Sequence, residues 1–160
     1  MAELKVLVVD DEPGILSGIR MILDDLVVGY PFMEEDFTFK TYESESSEDA
    51  LKKIENNRPD IMLLDNKLPG MDGIDLLEHI DEWGYDIPVM MITSYASVDL
   101  AVRATKSGAY NFVTKPFTPQ ELSAAMESIT KHLILKQMTQ ELKKEEKKYV
   151  FSFCRCYRMN

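Results

Sequence analysis

Ile61-Met62-Leu63-Leu64 is an unbroken apolar run that ends in Asp65, with Pro59-Asp60 before it and Pro69-Gly70 after it. Four apolar residues without alternation read as a strand buried on both faces, and such strands belong to parallel sheets covered by helices. Asp65 then stands at the carboxyl end of the strand, the edge of an open α/β sheet where ligands bind. On this stretch alone an aspartate capping the next loop is the competing reading. The remaining strands decide between them.

Lys5-Val6-Leu7-Val8-Val9 is a second buried-strand run, and it ends in Asp10, Asp11 and Glu12. Pro13 follows at a position suited to the first turn of a helix, and Ile15, Ile19, Ile22, Leu23 and Leu26 recur at helical spacing. Residues 27–36 are longer than the usual connection of about four to six residues and predict an extended loop. Phe37 to Tyr42 alternates like a peripheral strand, and Ser46 or Ser47 caps a helix carrying Ala50, Leu51 and Ile54. After Asp65, Asp72 precedes a helix with Ile74, Leu76, Leu77 and Ile80 that ends near Trp83-Gly84. Pro88 to Ser94 is another buried strand, Val98, Ala101, Val102 and Ala104 form a small helix, and Tyr110 to Thr114 is the fifth strand, ending at Lys115-Pro116-Phe117. Thr118-Pro119-Gln120-Glu121 opens the last helix with a capping box. Five βα units without an internal repeat predict a doubly wound α/β fold, a five-stranded parallel sheet with helices on both faces.

Four strands thus deliver Asp10 and Asp11, Asp65, Thr93 and Lys115 to one edge. Three converging carboxylates repel one another and call for a neutralising cation, and an oxygen-only site suits Mg²⁺ or Mn²⁺. A lysine and a hydroxyl opposite supply donors for further anionic oxygens, so the site is built to hold a metal and a phosphoryl group at a nucleophilic aspartate.

Val-Val-Asp-Asp-Glu-Pro (8–13), Leu-Leu-Asp-x-x-Leu-Pro-Gly-Met-Asp-Gly (63–73), Ile-Thr-Ser-Tyr (92–95) and Val-Thr-Lys-Pro-Phe (113–117) occur in this order. From about residue 4 to residue 135 the chain resembles the receiver domains of bacterial two-component response regulators. The resemblance implies the flavodoxin-like strand order 2-1-3-4-5. It makes Asp65 the phosphoacceptor, Asp11 the direct metal ligand, Asp10 its water-mediated neighbour, and the backbone carbonyl of Lys67 a further ligand. Thr93 would follow the phosphoryl group inward, Lys115 would pair with it, Phe112 would be the switch aromatic in preference to Tyr110, and Lys115-Pro116 would be a cis peptide. The implied donor is a histidine kinase or a phosphotransfer protein. In this reading the chain is no separate enzyme but catalyses its own phosphotransfer and dephosphorylation. Asn66, where an apolar residue is usual, and Tyr95 depart from the commonest pattern and bear on the lifetime of the phosphoryl group.

Other readings use the same residues differently. A flavodoxin-like cofactor binder needs a phosphate loop after its first strand, where Asp10-Asp11-Glu12 would repel phosphate. A haloacid-dehalogenase-type phosphohydrolase carries its nucleophile after the first strand, not the third. A degenerate, binding-only receiver is opposed by the complete set of site residues. His79 and His132 read as surface residues, not phosphotransfer histidines, and Trp83 as packing at a helix end.

Net charge is −10 over 160 residues, with six Lys or Arg against two Glu from Lys143 onward, so the body is the more acidic part. An acidic body disfavours nucleic acid as partner. No apolar run reaches the roughly 20 residues of a membrane span, and the amino terminus enters a strand directly, which predicts a cytoplasmic protein with no membrane partner. Cys154 and Cys156 read as free thiols.

The chain divides into a receiver at 1–135, a helical extension at 136–150 and an atypical tail at 151–160. Leu135, Met138, Leu142 and Tyr149 continue at helical spacing and predict a weak or phosphorylation-dependent parallel homodimer, with a solvated helix as the alternative. The tail has its own reading. Phe153 to Asn160 can be encoded TTC TGT CGG TGT TAT CGC ATG AAC, which from the third base reads LSVLSHE, a string similar to the phosphorylatable segment of histidine kinases. A receiver that headed a kinase and was cut by a frameshift is one expectation, and an unrelated or artificial carboxyl end is the other.

Overall fold

The computed structural model describes residues 1–94 and 97–158, the side chains of 149–158 excepted. Tyr95 and the side chains of Tyr149, Cys154 and Cys156 therefore lie outside the described residues, as does the chemistry of the tail. The elements alternate as expected: β1 (Ala2–Val9), α1 (Pro13–Asp25), β2 (Phe37–Ser44), α2 (Ser47–Asn56), β3 (Ile61–Leu64), α3 (Gly73–Glu82), β4 (Val89–Thr93), α4 (Val98–Lys106), β5 (Ala109–Thr114) and α5 (Pro119–Arg158). The five strands pair in parallel in the order β2-β1-β3-β4-β5, with Val9 opposite Leu64 and Leu64 opposite Met91.

Period-2 alternation in the central strands divides the core in two. Val6, Val8, Ile61, Leu63, Met90 and Ile92 face α1 and α5, where Leu16, Ile19, Leu23, Leu122, Met126 and Ile129 meet them. Leu7, Val9, Met62, Leu64, Val89 and Met91 face the other helices, with Ala50, Ile54, Ile74, Leu77 and Ile80. Both faces are covered, which is why β1, β3 and β4 carry apolar runs and only peripheral β2 alternates.

The structure sharpens several local expectations. Val98 and Val102 are exposed, and only Ala104 of α4 is buried, with Leu100 partly covered. The helix is too short and too peripheral for its apolar spacing to define a core face. Ser46, not Ser47, caps α2, accepting from the amide of Asp49 at 3.2 Å. Asp72 occupies the cap position of α3 without a side-chain hydrogen bond; Asn66 Oδ1 accepts instead from the amide of Ile74 at 3.3 Å. Trp83 is about half exposed and meets the edge of His79, at 5.6 Å between ring centroids. The long α1–β2 loop is pinned by a bridge from Val28 to Phe37 and by Tyr30, whose hydroxyl donates to the Glu127 carbonyl of α5 at 2.5 Å.

Candidate phosphoacceptor site

Hydrogen bonding between neighbouring strands continues one residue past the strand ends, and the residues just beyond carry the chemistry. Asp10 N donates to Ser44 O at 3.0 Å, Asp65 N to Val9 O at 2.9 Å, and Lys115 N to Thr93 O at 2.9 Å. Adjacent strands ending in register thus place Asp10, Asp65, Thr93 and Lys115 along one edge. Asp10, Asp65 and Thr93 are buried there.

The Lys115 ammonium is the hub of the site. It lies 2.6 Å from Asp10 Oδ2, 3.4 Å from Asp65 Oδ2 and 3.8 Å from Glu12 Oε1. Burial alone would lower its pKa, but its hydrogen bond to Asp10 and the charges of Asp10, Asp65 and Glu12 outweigh that and raise it, so the ammonium stays charged. Burial, and then the charge of Asp10, push the Asp65 carboxyl above the ordinary carboxylate range, while Lys115 and the backbone amide of Lys67 pull against that shift. Lys115-Pro116 is the cis peptide among the described residues.

The acidic donors group differently from the expected set. Asp10, Asp11 and Glu12 offer carboxylate oxygens within 4.8 Å of one another, and Lys115 bridges this group to Asp65 by pairing with both Asp10 and Asp65. Glu12, read in the sequence as the third carboxylate ending β1 but not as a metal ligand, joins the group; its amide donates to Asp10 Oδ1 at 3.0 Å, folding the segment back on itself. An all-oxygen donor set of this kind fits Mg²⁺ or Mn²⁺, with Asp11 and Glu12 open to solvent.

Close packing holds Asp65 from behind. A Cβ on Gly73 would come within 2.1 Å of the Asp65 carbonyl oxygen and 3.0 Å of Asn66 Cα, so α3 can start here only with glycine. Gly73 N donates to Asn66 O at 2.8 Å. Asn66 thus closes the β3–α3 loop with both its backbone and its side chain. Phe112 is half buried against the α2–α3–α4 side of the core. Tyr110 is more exposed, stacks on His132 with centroids 4.6 Å apart, and shares a 2.8 Å hydrogen bond with Ser128 Oγ.

A doubly wound sheet with strand order 2-1-3-4-5, whose carboxyl edge gathers buried aspartates, a threonine and a lysine, defines a receiver-type phosphoacceptor fold. The family description "Response regulator receiver domain" matches residues 6–127, and the chain belongs to that family. It is 34% identical over 140 residues to nitrogen assimilation regulatory protein NtrX of Azorhizobium caulinodans, covering 86% of this chain and 28% of that protein. It is 33% identical to sporulation initiation phosphotransferase F of Bacillus subtilis, over 85% of this chain and 98% of the relative. Among solved structures, the receiver domain of a LuxO-type repressor from Vibrio parahaemolyticus superposes with a TM-score of 0.75 at 27% identity, covering 86% of this chain and 97% of the other. The chain spans 28% of the length of NtrX and 50% of that of phosphate regulon regulator PhoB of Pseudomonas aeruginosa, to which it is 34% identical over 126 residues. Among the described residues, no helix is long and apolar enough to cross a membrane.

Proposed function

We propose that Asp65 accepts a phosphoryl group from the phosphohistidine of a histidine kinase or phosphotransfer protein, and that the resulting acyl phosphate changes the surface the domain presents. The observation that carries this reading is the buried Asp65 carboxylate held 3.4 Å from a charged lysine at the carboxyl edge of the sheet. A carboxylate oxygen of Asp65 attacks phosphorus, the phosphorus–nitrogen bond breaks, and the electron pair returns to the imidazole. Water later cleaves the acyl phosphate, releasing inorganic phosphate and restoring the carboxylate.

Lys115 already faces Asp65 and supplies a fixed positive charge for the phosphoryl oxygens. Asp10, Asp11, the backbone carbonyl of Lys67 and Asp65 itself are the residues that would hold Mg²⁺ or Mn²⁺, with Glu12 beside them. A divalent cation there supplies charge neutralisation for the carboxylates and the incoming phosphoryl oxygens. Thr93, buried at the end of β4, would offer its hydroxyl to the phosphoryl group, and Phe112 would turn into the space this vacates. Phosphorylation is then a population shift in the α4–β5–α5 surface.

Output passes to whatever α5 leads to. Residues 1–135 act as the receiver and 136–150 as an output helix, and the apolar stripe Leu135, Met138 and Leu142 favours pairing with a second copy. Treatment with acetyl phosphate in Mg²⁺ followed by mass spectrometry tests the phosphotransfer. One phosphoryl group on the wild type and none on Asp65→Asn or after chelation is the expected result; full labelling of Asp65→Asn sinks the assignment.

A further inference from the structure

The loop that carries Lys67 is held by more than its own ends. Its base is closed by Asn66, and its tip rests on the amino terminus of α2, an element twenty residues earlier in the chain. Ser47 Oγ donates to Met71 O at 2.8 Å from a fully buried position. Glu48 Oε1 accepts from Met71 N at 3.4 Å and also lies 3.0 Å from where a Cβ on Gly70 would be, a glycine with φ of 79°. Met71 is therefore gripped at both its carbonyl and its amide by consecutive residues of one helix. The buried flank of the loop is Leu68, which packs in the same core as Ala50 and Ile54 of α2. Between these anchors the Lys67 amide is directed at the Asp65 carboxylate.

We infer that Ser47 and Glu48 form a clip that positions the Lys67 peptide against Asp65, making them positioning residues for phosphoryl transfer. The inference rests on the phosphoacceptor reading above and names what keeps that site assembled before any ligand arrives. Neither residue touches Asp65. Their effect passes through the Met71 peptide and the short segment back to Lys67, four residues away. Groups that orient a ligand from behind commonly matter about as much to metal affinity as some of the ligands.

The test is read first on the full-length, metal-free protein, by amide hydrogen exchange of Lys67, with core amides of β3 as the internal reference. Ser47→Ala and Glu48→Ala are each expected to speed Lys67 exchange several-fold while β3 amides keep their rates. Glu48→Gln, which retains the accepting oxygen, is expected to behave as wild type. Mg²⁺ affinity, titrated without phosphodonor, should weaken by about tenfold in the two alanine variants and recover in Glu48→Gln. If Lys67 exchange and Mg²⁺ affinity are unchanged in both alanine variants, or if β3 amides accelerate in step with Lys67, the clip is ordinary packing and the inference is wrong. Should Ser47→Ala fail to fold, the exposed Glu48 pair of variants decides alone. Failure of the phosphoacceptor reading would appear separately, as an unlabelled wild type whose Lys67 amide still responds to the clip.

Discussion

Gly73 shows how little freedom the site has at the level of single atoms. An added methyl group would overlap the backbone of Asp65, the proposed phosphoacceptor, so Gly73→Ala has to displace either α3 or Asp65. We expect a loss of about 1–3 kcal/mol in stability, the usual cost of overpacking, together with strongly reduced labelling; urea denaturation and mass spectrometry measure the two. Asp65 gives a pH signature. Its folded-state pKa is raised by burial and by Asp10, so the folded chain holds this proton more tightly than the unfolded chain does. The stability it contributes is complete below the unfolded value of 3.8 and is lost as pH rises through the folded value. Asp65→Asn should therefore melt a few degrees above the wild type in neutral, metal-free buffer, with the gain shrinking in acid; calorimetry across that range checks it. Asp65, Lys115 and Thr93 were legible because each stands at the carboxyl end of a strand, and parallel topology fixes which end of a strand is functional. Glu12 as a metal-site neighbour, Asn66 as the closure of the β3–α3 loop, and Ser47 on Met71 were not legible. Ser47 reaches Met71 across distant segments and Asn66 acts across the loop, which no apolar pattern encodes, and Glu12 joins the acidic group only through the turn back onto Asp10.

At the level of elements, periodicity predicted where helices form better than which of their faces are covered. α4 satisfies the spacing rule yet leaves Val98 and Val102 in solvent, while α5 has two apolar faces with different fates. Leu122, Met126, Ile129 and Leu133 are buried on the sheet, and Leu135, Met138 and Leu142 lie on roughly the opposite side of the same helix, exposed. The point where α5 leaves the body is marked by Asp86 in the α3–β4 loop, which pairs with Lys136 and accepts from Gln140 Nε2 at 3.3 Å. The hydrogen bond from Lys136 lowers the Asp86 pKa, so its contribution is present above 3.8 and disappears as pH falls through the lower folded value. Because both partners are partly solvent-exposed, Asp86→Ala should cost only about 0.2–1 kcal/mol, yet speed amide exchange around Lys136 to Gln140. Once the pH is below that folded value, Asp86→Ala should no longer differ from wild type in that exchange.

For the whole molecule, the open question is what covers the second face of α5. If a second copy does, sedimentation of the full chain should show weak self-association that tightens with beryllofluoride, and Leu135→Gln, Met138→Gln and Leu142→Gln together should abolish it. Because those three side chains are exposed, their replacement leaves the receiver core intact, whereas cutting the chain after Lys131 would strip Leu133 and Ile134 from it. A wild type that stays monomeric with and without beryllofluoride would end the pairing proposal. The fold and the edge of the sheet could be read from the apolar runs of β1, β3 and β4 with the patterned β2 and β5, but the course of α5 could not. Its 40 residues form one unbroken helix, and nothing in the spacing near residue 135 marks where the core ends. From Ile134 to Arg158 that helix extends for about 36 Å at the standard rise per residue, so a tilt of about five degrees at its base moves its far end by about 3 Å. The receiver thus has a lever arm: a displacement too small to break any contact in the core becomes, at the other end, as large as the difference between a made and a broken interface.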